Sequence, residues 1–198
     1  MKYPLMRNNI TKSDRTSLIN FLKKNDKLTQ GPYVREFEKK WSKWLGVKYS
    51  VFVNSGSSAN LLSLTLLKLK YPKRGEVIVP PLTWSSDISS ILHCGFKPVF
   101  VDIDPDTLGM NTDKIIKKIN KNTKAIFLSY IQGFNCLSSK LLHIIKKKKI
   151  LLIEDVCESH GATFKNKKLG SFGWTSNFSF YYAHHMSTIE GGMVSTND

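Results

Sequence analysis

His184 and His185 stand side by side in Phe178-Ser179-Phe180-Tyr181-Tyr182-Ala183-His184-His185, a few residues before Glu190-Gly191-Gly192. Imidazole has the unperturbed pKa nearest neutrality, so one of the two could move a proton. Neighbouring residues point in different directions, which argues against a metal shared by the pair. A satisfied core or surface pair is the plainer reading of this segment taken alone. A second segment, Leu151-Leu152-Ile153-Glu154-Asp155-Val156-Cys157-Glu158-Ser159-His160, is an apolar run ending in acids. A carboxylate at that position can pair with a protonated pyridine nitrogen and keep such a ring an electron sink. Acids that cap or brace a loop would explain it equally well. Asp155, Glu158 and His160 could also ligate a metal, but no further ligand of recognisable spacing accompanies them.

Two more segments lie upstream. Asn54-Ser55-Gly56-Ser57-Ser58-Ala59-Asn60 falls where a strand gives way to a helix, and its small residues would let backbone N–H groups approach a phosphate. No GK[ST] follows, so it is not a Walker loop. A tight turn with a serine cap is the competing account. In Val79-Pro80-Pro81-Leu82-Thr83-Trp84 a tryptophan opens the next helix. Its flat ring could stack on a cofactor or simply pack.

These residues need elements to hold them. Short β-branched runs at 49–53, 77–79, 98–101, 125–128 and 150–153 alternate with helical stretches at 58–69, 85–93, 112–120 and 138–147. Such alternation predicts an α/β fold with a largely parallel sheet whose ligands bind beyond the carboxyl ends of the strands. After an extended start, a capped helix is expected over 11–24. Gly31-Pro32 then breaks the chain, and Val34, Phe37, Trp41, Trp44 and Leu45 recur at helical spacing, a stripe expected in the core. Residues 177–198 read as two short strands about the Gly191-Gly192 turn.

The 198 residues, 41% hydrophobic and 23% charged, have globular composition. The net charge of +15 raises the question of nucleic acid. However, the lysines are scattered apart from Lys146 to Lys149, and arginine, the usual reader of base edges, occurs four times. No nucleic-acid partner is expected, although a positive field would suit a small anionic ligand. No leader-like or membrane-spanning run is visible, so a cytoplasmic address without membrane attachment is expected. Cys94, Cys136 and Cys157 match no CxxC spacing and read as reduced thiols.

Taken in order, the four segments resemble the DegT/DnrJ/EryC1/StrS family of sugar aminotransferases and dehydratases, from Thr29-Gln30-Gly31 to Gly191-Gly192-Met193. The resemblance implies the three-layer, aspartate-aminotransferase-like large domain (fold type I) of pyridoxal 5′-phosphate enzymes. Residues 31–198 would form that cofactor-binding domain, stopping short of its C-terminal end and of the small domain, with an extended segment and helix over 1–30. It further implies that Gly56, Ser57 and Ser179 hold the cofactor phosphate, that Trp84 stacks on the ring, and that Asp155 pairs with the ring nitrogen. Glu158 would stand near the phenolic oxygen.

Family members that transfer amino groups carry a lysine six residues before the glutamate of Glu-Gly-Gly, and it bonds covalently to the cofactor. Counting back from Glu190 gives His184, and imidazole forms no stable Schiff base. That departure is similar to a subgroup of 3-dehydratases acting on nucleotide-linked 4-keto-6-deoxyhexoses, with pyridoxamine 5′-phosphate held noncovalently and the histidine as catalytic base. The resemblance implies a nucleotide-diphosphate sugar substrate, glutamate as amino donor, a homodimer and a role in deoxysugar biosynthesis of the lipopolysaccharide type. Phrases such as Gln132-Gly133-Phe134-Asn135 lean toward the GDP-sugar branch. Another branch carries a [2Fe-2S] cluster; Cys157 matches one of its ligands, but Cys94 and Cys136 match no others, so neither cluster nor other metal is assigned. Two readings stay beside the dehydratase: an aminotransferase in which Lys165, Lys167 or Lys168 substitutes, and a truncated, non-catalytic copy that binds cofactor or sugar nucleotide.

Overall fold

A computed structural model describes residues 10–24 and 27–198. The extended start expected over 1–9 lies outside the described residues. Six helices are described: α1 (Lys12–Lys23), α2 (Pro32–Leu45), α3 (Gly56–Lys70), α4 (Ser85–His93), α5 (Thr112–Lys118) and α6 (Ser139–Lys148). They alternate with β1 (Tyr49–Val53), β2 (Glu76–Val79), β3 (Lys97–Phe100), β4 (Thr123–Ser129) and β5 (Leu151–Asp155). A hairpin of β6 (Thr163–Phe164) and β7 (Lys167–Lys168) follows, then β8 (Thr175–Ser179) and β9 (Gly192–Thr196).

Seven strands form one sheet in the order β1-β9-β8-β5-β4-β2-β3. β8, β5, β4, β2 and β3 pair in parallel, while β9 runs antiparallel to both β8 and β1. The expected mostly parallel sheet is therefore present, with β9 the reversed strand. Because side chains alternate across a strand, the sheet feeds two cores. Val77, Val79, Ala125, Phe127 and Ile153 pack with Leu64 and Leu67 of α3 and Ile91 of α4. Ile78, Ile126, Leu128 and Leu152 pack with Ile115 of α5, Leu141 and Ile145 of α6, and Trp41 and Leu45 of α2. Helices on both faces make the three layers.

Local chemistry explains where the elements begin and end. Thr11 and Asp14 form a reciprocal capping box on α1. Pro32 is the first residue of α2, and Gly46, at φ 85°, ends it in the left-handed conformation that glycine tolerates best. Ser55, Asn111 and Ser138 cap α3, α5 and α6 through their side chains. Glu38 Oε1 accepts the Phe52 N–H at 2.8 Å, fixing α2 against β1.

Two expectations need correction, and one element was missed. Trp44 does not join the core stripe: it is exposed, with the Lys168 ammonium over its ring at 5.0 Å. The β6–β7 hairpin had no forecast, because its strands are two residues long and its turn residues, Lys165 and Asn166, hold φ of 48° and 61°. β8 begins at Thr175, two residues before the expected start at 177. Among the described residues no helix is long and apolar enough to cross a membrane.

Candidate functional site

A cavity of about 730 Å³ opens beyond the carboxyl ends of β4, β5 and β8, where Ser129, Asp155 and Ser179 end their strands. Gly56, Ser57, Trp84, Asp155, Glu158, Ser179 and His184, the seven residues singled out from sequence, all line it. Lys165, Lys167 and Lys168 do not, and no lysine is among its described lining residues.

One wall is the start of α3. Ser55 caps the helix by accepting the Ser58 N–H at 3.1 Å, and the N–H groups of Gly56 and Ser57, in the first turn, have no intrahelical partner. A Cβ on Gly56 would lie 2.7 Å from Ser179 Cβ and 3.0 Å from Cys157 Sγ, so only glycine lets the turn close onto β8 and β5. A Cβ on Gly192 would meet the Ser55 carbonyl oxygen at 2.3 Å, which ties the Glu-Gly-Gly turn to the same wall. Unpaired N–H groups at a helix start, flanked by two serine hydroxyls, make an anion cradle.

The floor is acidic. Asp155 is buried and accepts the Cys157 N–H at 2.9 Å and, weakly, the Asn60 amide at 3.4 Å. Behind it lies Asp87, wholly buried in the first turn of α4. The Asn60 amide donates to Asp87 at 2.6 Å and the Ser129 hydroxyl at 2.7 Å, and Thr83 donates a further hydroxyl bond. Burial, and then the neighbouring Asp155 charge, push the Asp87 carboxyl well above the usual carboxylate range. Burial likewise raises the Cys157 thiol, so it stays protonated. Sequence reasoning gave Asp87 no role. Its signal was an acid four residues before the buried Ile91, on the inner face of a short helix.

Trp84 precedes α4 and is 67% exposed, leaving its ring face free beside the cavity. Glu158 accepts the Gln132 N–H at 3.0 Å, bracing a turn in which Gln132 has φ 54°. The histidines stand on the excursion between β8 and β9, closed at its base by Phe180 N–H to Gly191 O at 2.9 Å and Thr188 N–H to Phe180 O at 3.0 Å. His184 N–H donates to Tyr181 O at 3.0 Å, a turn that carries the imidazole to the cavity wall. Burial draws His184 below the ordinary imidazole range, with Glu158 and Asp155 opposing. His185 also lines the cavity. Among the described residues no group of three or more His, Cys, Asp or Glu side chains is placed to hold a metal.

Comparison with known proteins follows this geometry. The DegT/DnrJ/EryC1/StrS aminotransferase family model matches residues 9–198. GDP-4-keto-6-deoxy-D-mannose 3-dehydratase of Escherichia coli O55:H7 is 40% identical over 174 residues, 86% of this chain and 45% of that protein. GDP-perosamine synthase of Caulobacter vibrioides is 38% identical over 168 residues, 85% of this chain and 45% of that protein. A solved structure of the E. coli dehydratase with bound hydrated pyridoxal phosphate superposes with a TM-score of 0.93 at 37% identity, covering 99% of this chain and 51% of that one. The chain thus shares that fold and spans about half the length of the relatives it matches.

Proposed function

The chain belongs to the DegT/DnrJ/EryC1/StrS aminotransferase family, and on that premise we propose that it binds pyridoxal or pyridoxamine 5′-phosphate and serves the 3-dehydration of a GDP-linked 4-keto-6-deoxyhexose. Residues 31–198 are read as the cofactor-binding large domain, 1–30 as its lead-in, and the working protein as a cytoplasmic homodimer in lipopolysaccharide-type deoxysugar biosynthesis. Relatives of both the dehydratase and the amino-sugar kind match about equally well, so overall likeness does not choose between them. The observation that chooses is His184, on the cavity wall where a lysine would be needed for covalent capture.

The donor set fits such a cofactor. The α3 start with Gly56, Ser57 and Ser179 suits a phosphate dianion, the Asp155 carboxylate a protonated ring nitrogen, and the free face of Trp84 a flat ring. When bound as the amine form, the cofactor supplies the nitrogen that condenses with the 4-ketone and the electron sink that lets the 3-hydroxyl depart. His184 contributes an imidazole nitrogen as catalytic base. Its lowered pKa keeps that nitrogen unprotonated at neutral pH, and imidazole cannot trap the cofactor covalently. Glu158 holds the Gln132 turn at the cavity edge and offers its carboxylate to the phenolic oxygen side of the ring. Glutamate would regenerate the amine form.

The test is a mass-spectrometric assay of the whole protein with pyridoxamine phosphate, glutamate and GDP-4-keto-6-deoxymannose, for the parent and for His184→Lys. Loss of the 3-hydroxyl with the parent, and at least a hundredfold less with the variant, is expected. An amino sugar formed by the parent would overturn the dehydratase reading.

A further inference from the structure

Two buried carboxyl groups meet beneath the cavity. Asp87 and Asp155 are brought together by the Asn60 amide, which reaches both, at 2.6 Å from Asp87 and 3.4 Å from Asp155. Thr83 and Ser129, 2.7 Å apart, aim their hydroxyls at the far oxygen of Asp87. Asn60 also donates to Ser86 at 3.1 Å, and the Cys157 N–H serves Asp155 at 2.9 Å. None of the ion pairs among the described residues involves either acid.

Two opposing influences act on this cluster. Three neutral donors and the start of α4 favour a charged Asp87. Burial without a cation, together with a second carboxylate alongside, acts the other way and is the stronger, because two adjacent carboxyls in a dry site do not both ionise. Asp87, the more deeply enclosed, is the one better placed to keep the proton.

We propose that Asp87 and Asp155 share one proton at neutral pH, and that Asp87, as its donor, is a positioning residue holding the Asp155 carboxylate toward the cavity for the cofactor's ring nitrogen. This rests on the cofactor reading above in its last clause only. The shared proton does two things for the site. It fixes the Asp155 side chain from behind, where only one backbone N–H otherwise holds it firmly. It also leaves a single negative charge on the floor, matched to the single positive charge of a protonated pyridine nitrogen.

Two readouts on the whole protein test this. Infrared spectroscopy of the cofactor-free parent at neutral pH should show a buried protonated-carboxyl band that shifts in D₂O and is absent from Asp87→Asn. A parent without that band, or a band persisting unchanged in Asp87→Asn, overturns the shared proton. Pyridoxamine 5′-phosphate titrations followed by fluorescence should then give Asp87→Asn, which retains an N–H donor, an affinity within about threefold of the parent. Asp87→Leu, which has none, should bind at least tenfold more weakly. Equal affinity in Asp87→Leu, or a tenfold gain in Asp87→Asn, overturns the positioning role, the latter by placing the proton on Asp155. A parent that does not bind pyridoxamine phosphate removes the cofactor reading, whereas the infrared band, recorded without cofactor, still decides the shared proton.

Discussion

Glu154 and Asp155 are consecutive residues of β5, both buried carboxyls, and the strand's alternation sends them to opposite faces of the sheet. On one face Glu154 is saturated. It accepts the Tyr130 hydroxyl at 2.7 Å and the N–H groups of Gly170, Phe172 and Gly173 at 2.9, 2.9 and 2.5 Å. Burial still raises its pKa, and those four donors oppose the rise. On the other face Asp155 has one firm donor, a second acid behind it and a cavity in front. A carboxylate whose lone pairs are all occupied ties loops together and has nothing left to offer a ligand. Its neighbour, left short of partners at a cavity, retains the capacity that binding requires.

The sharpest way to break this contrast is to remove each carboxylate in turn. Glu154→Ala should strip the acceptor from a buried hydroxyl and three loop N–H groups, each costly to leave unpaired. We expect a loss of roughly 3 kcal/mol or more in urea unfolding of the whole protein. The site would be affected only through instability. A loss under about 1 kcal/mol would mean the loop at 170–173 is held by something other than Glu154.

Asp155→Asn should do the reverse. With its environment already poor in donors, folding stability should change little, while pyridoxamine phosphate affinity should fall ten- to a hundredfold, the worth of one charge-assisted hydrogen bond of about 1.5–3 kcal/mol. Isothermal titration of the two variants side by side checks the pairing. A variant that unfolds readily yet binds normally would assign Asp155 to the scaffold.

The same β5 run shows how far sequence reaches. Its apolar residues and terminal acids were legible, as were the alternation of elements and the cap of the first helix, because each depends on neighbours within a few positions. The small-residue turn at Gly56 and the position of His184 relative to Glu190 were legible as motifs, and only the resemblance implied that they serve one site; the cavity they share is what the fold adds. From the residues themselves Glu154 and Asp155 could not be told apart, and only the resemblance singled out Asp155, since what separates them is the loop at 170–173 on one side and α3 and α4 on the other. Asp87 escaped for the same reason: its partners Asn60, Ser129 and Asp155 are 27, 42 and 68 residues away in the chain. The Trp44 stripe was read too broadly because helical spacing cannot reveal where a helix's buried face ends.

The smallest effect comes from two imidazoles that repeat the contrast. His160 packs among Trp41, Phe178 and Phe180, and neither ring nitrogen makes a well-formed hydrogen bond among the described residues, the Ser179 backbone giving it only weak support. Burial, followed by the nearby His184 and His185, brings it down to about 4, whereas His184 is partly held up by Glu158 and Asp155. The unfolded chain takes up a proton near pH 6.5 that folded His160 accepts only near 4. Its contribution to stability is therefore complete above about pH 6.5 and is lost as pH falls toward about 4. His160→Phe keeps an aromatic ring among aromatic neighbours and removes the titration. The parent should lose about 1 kcal/mol more than this variant between pH 7 and about pH 5.5, read from urea midpoints at constant m-value. Parallel curves for the two would show that His160 finds a partner when protonated, most directly a carboxylate drawn from the cavity side.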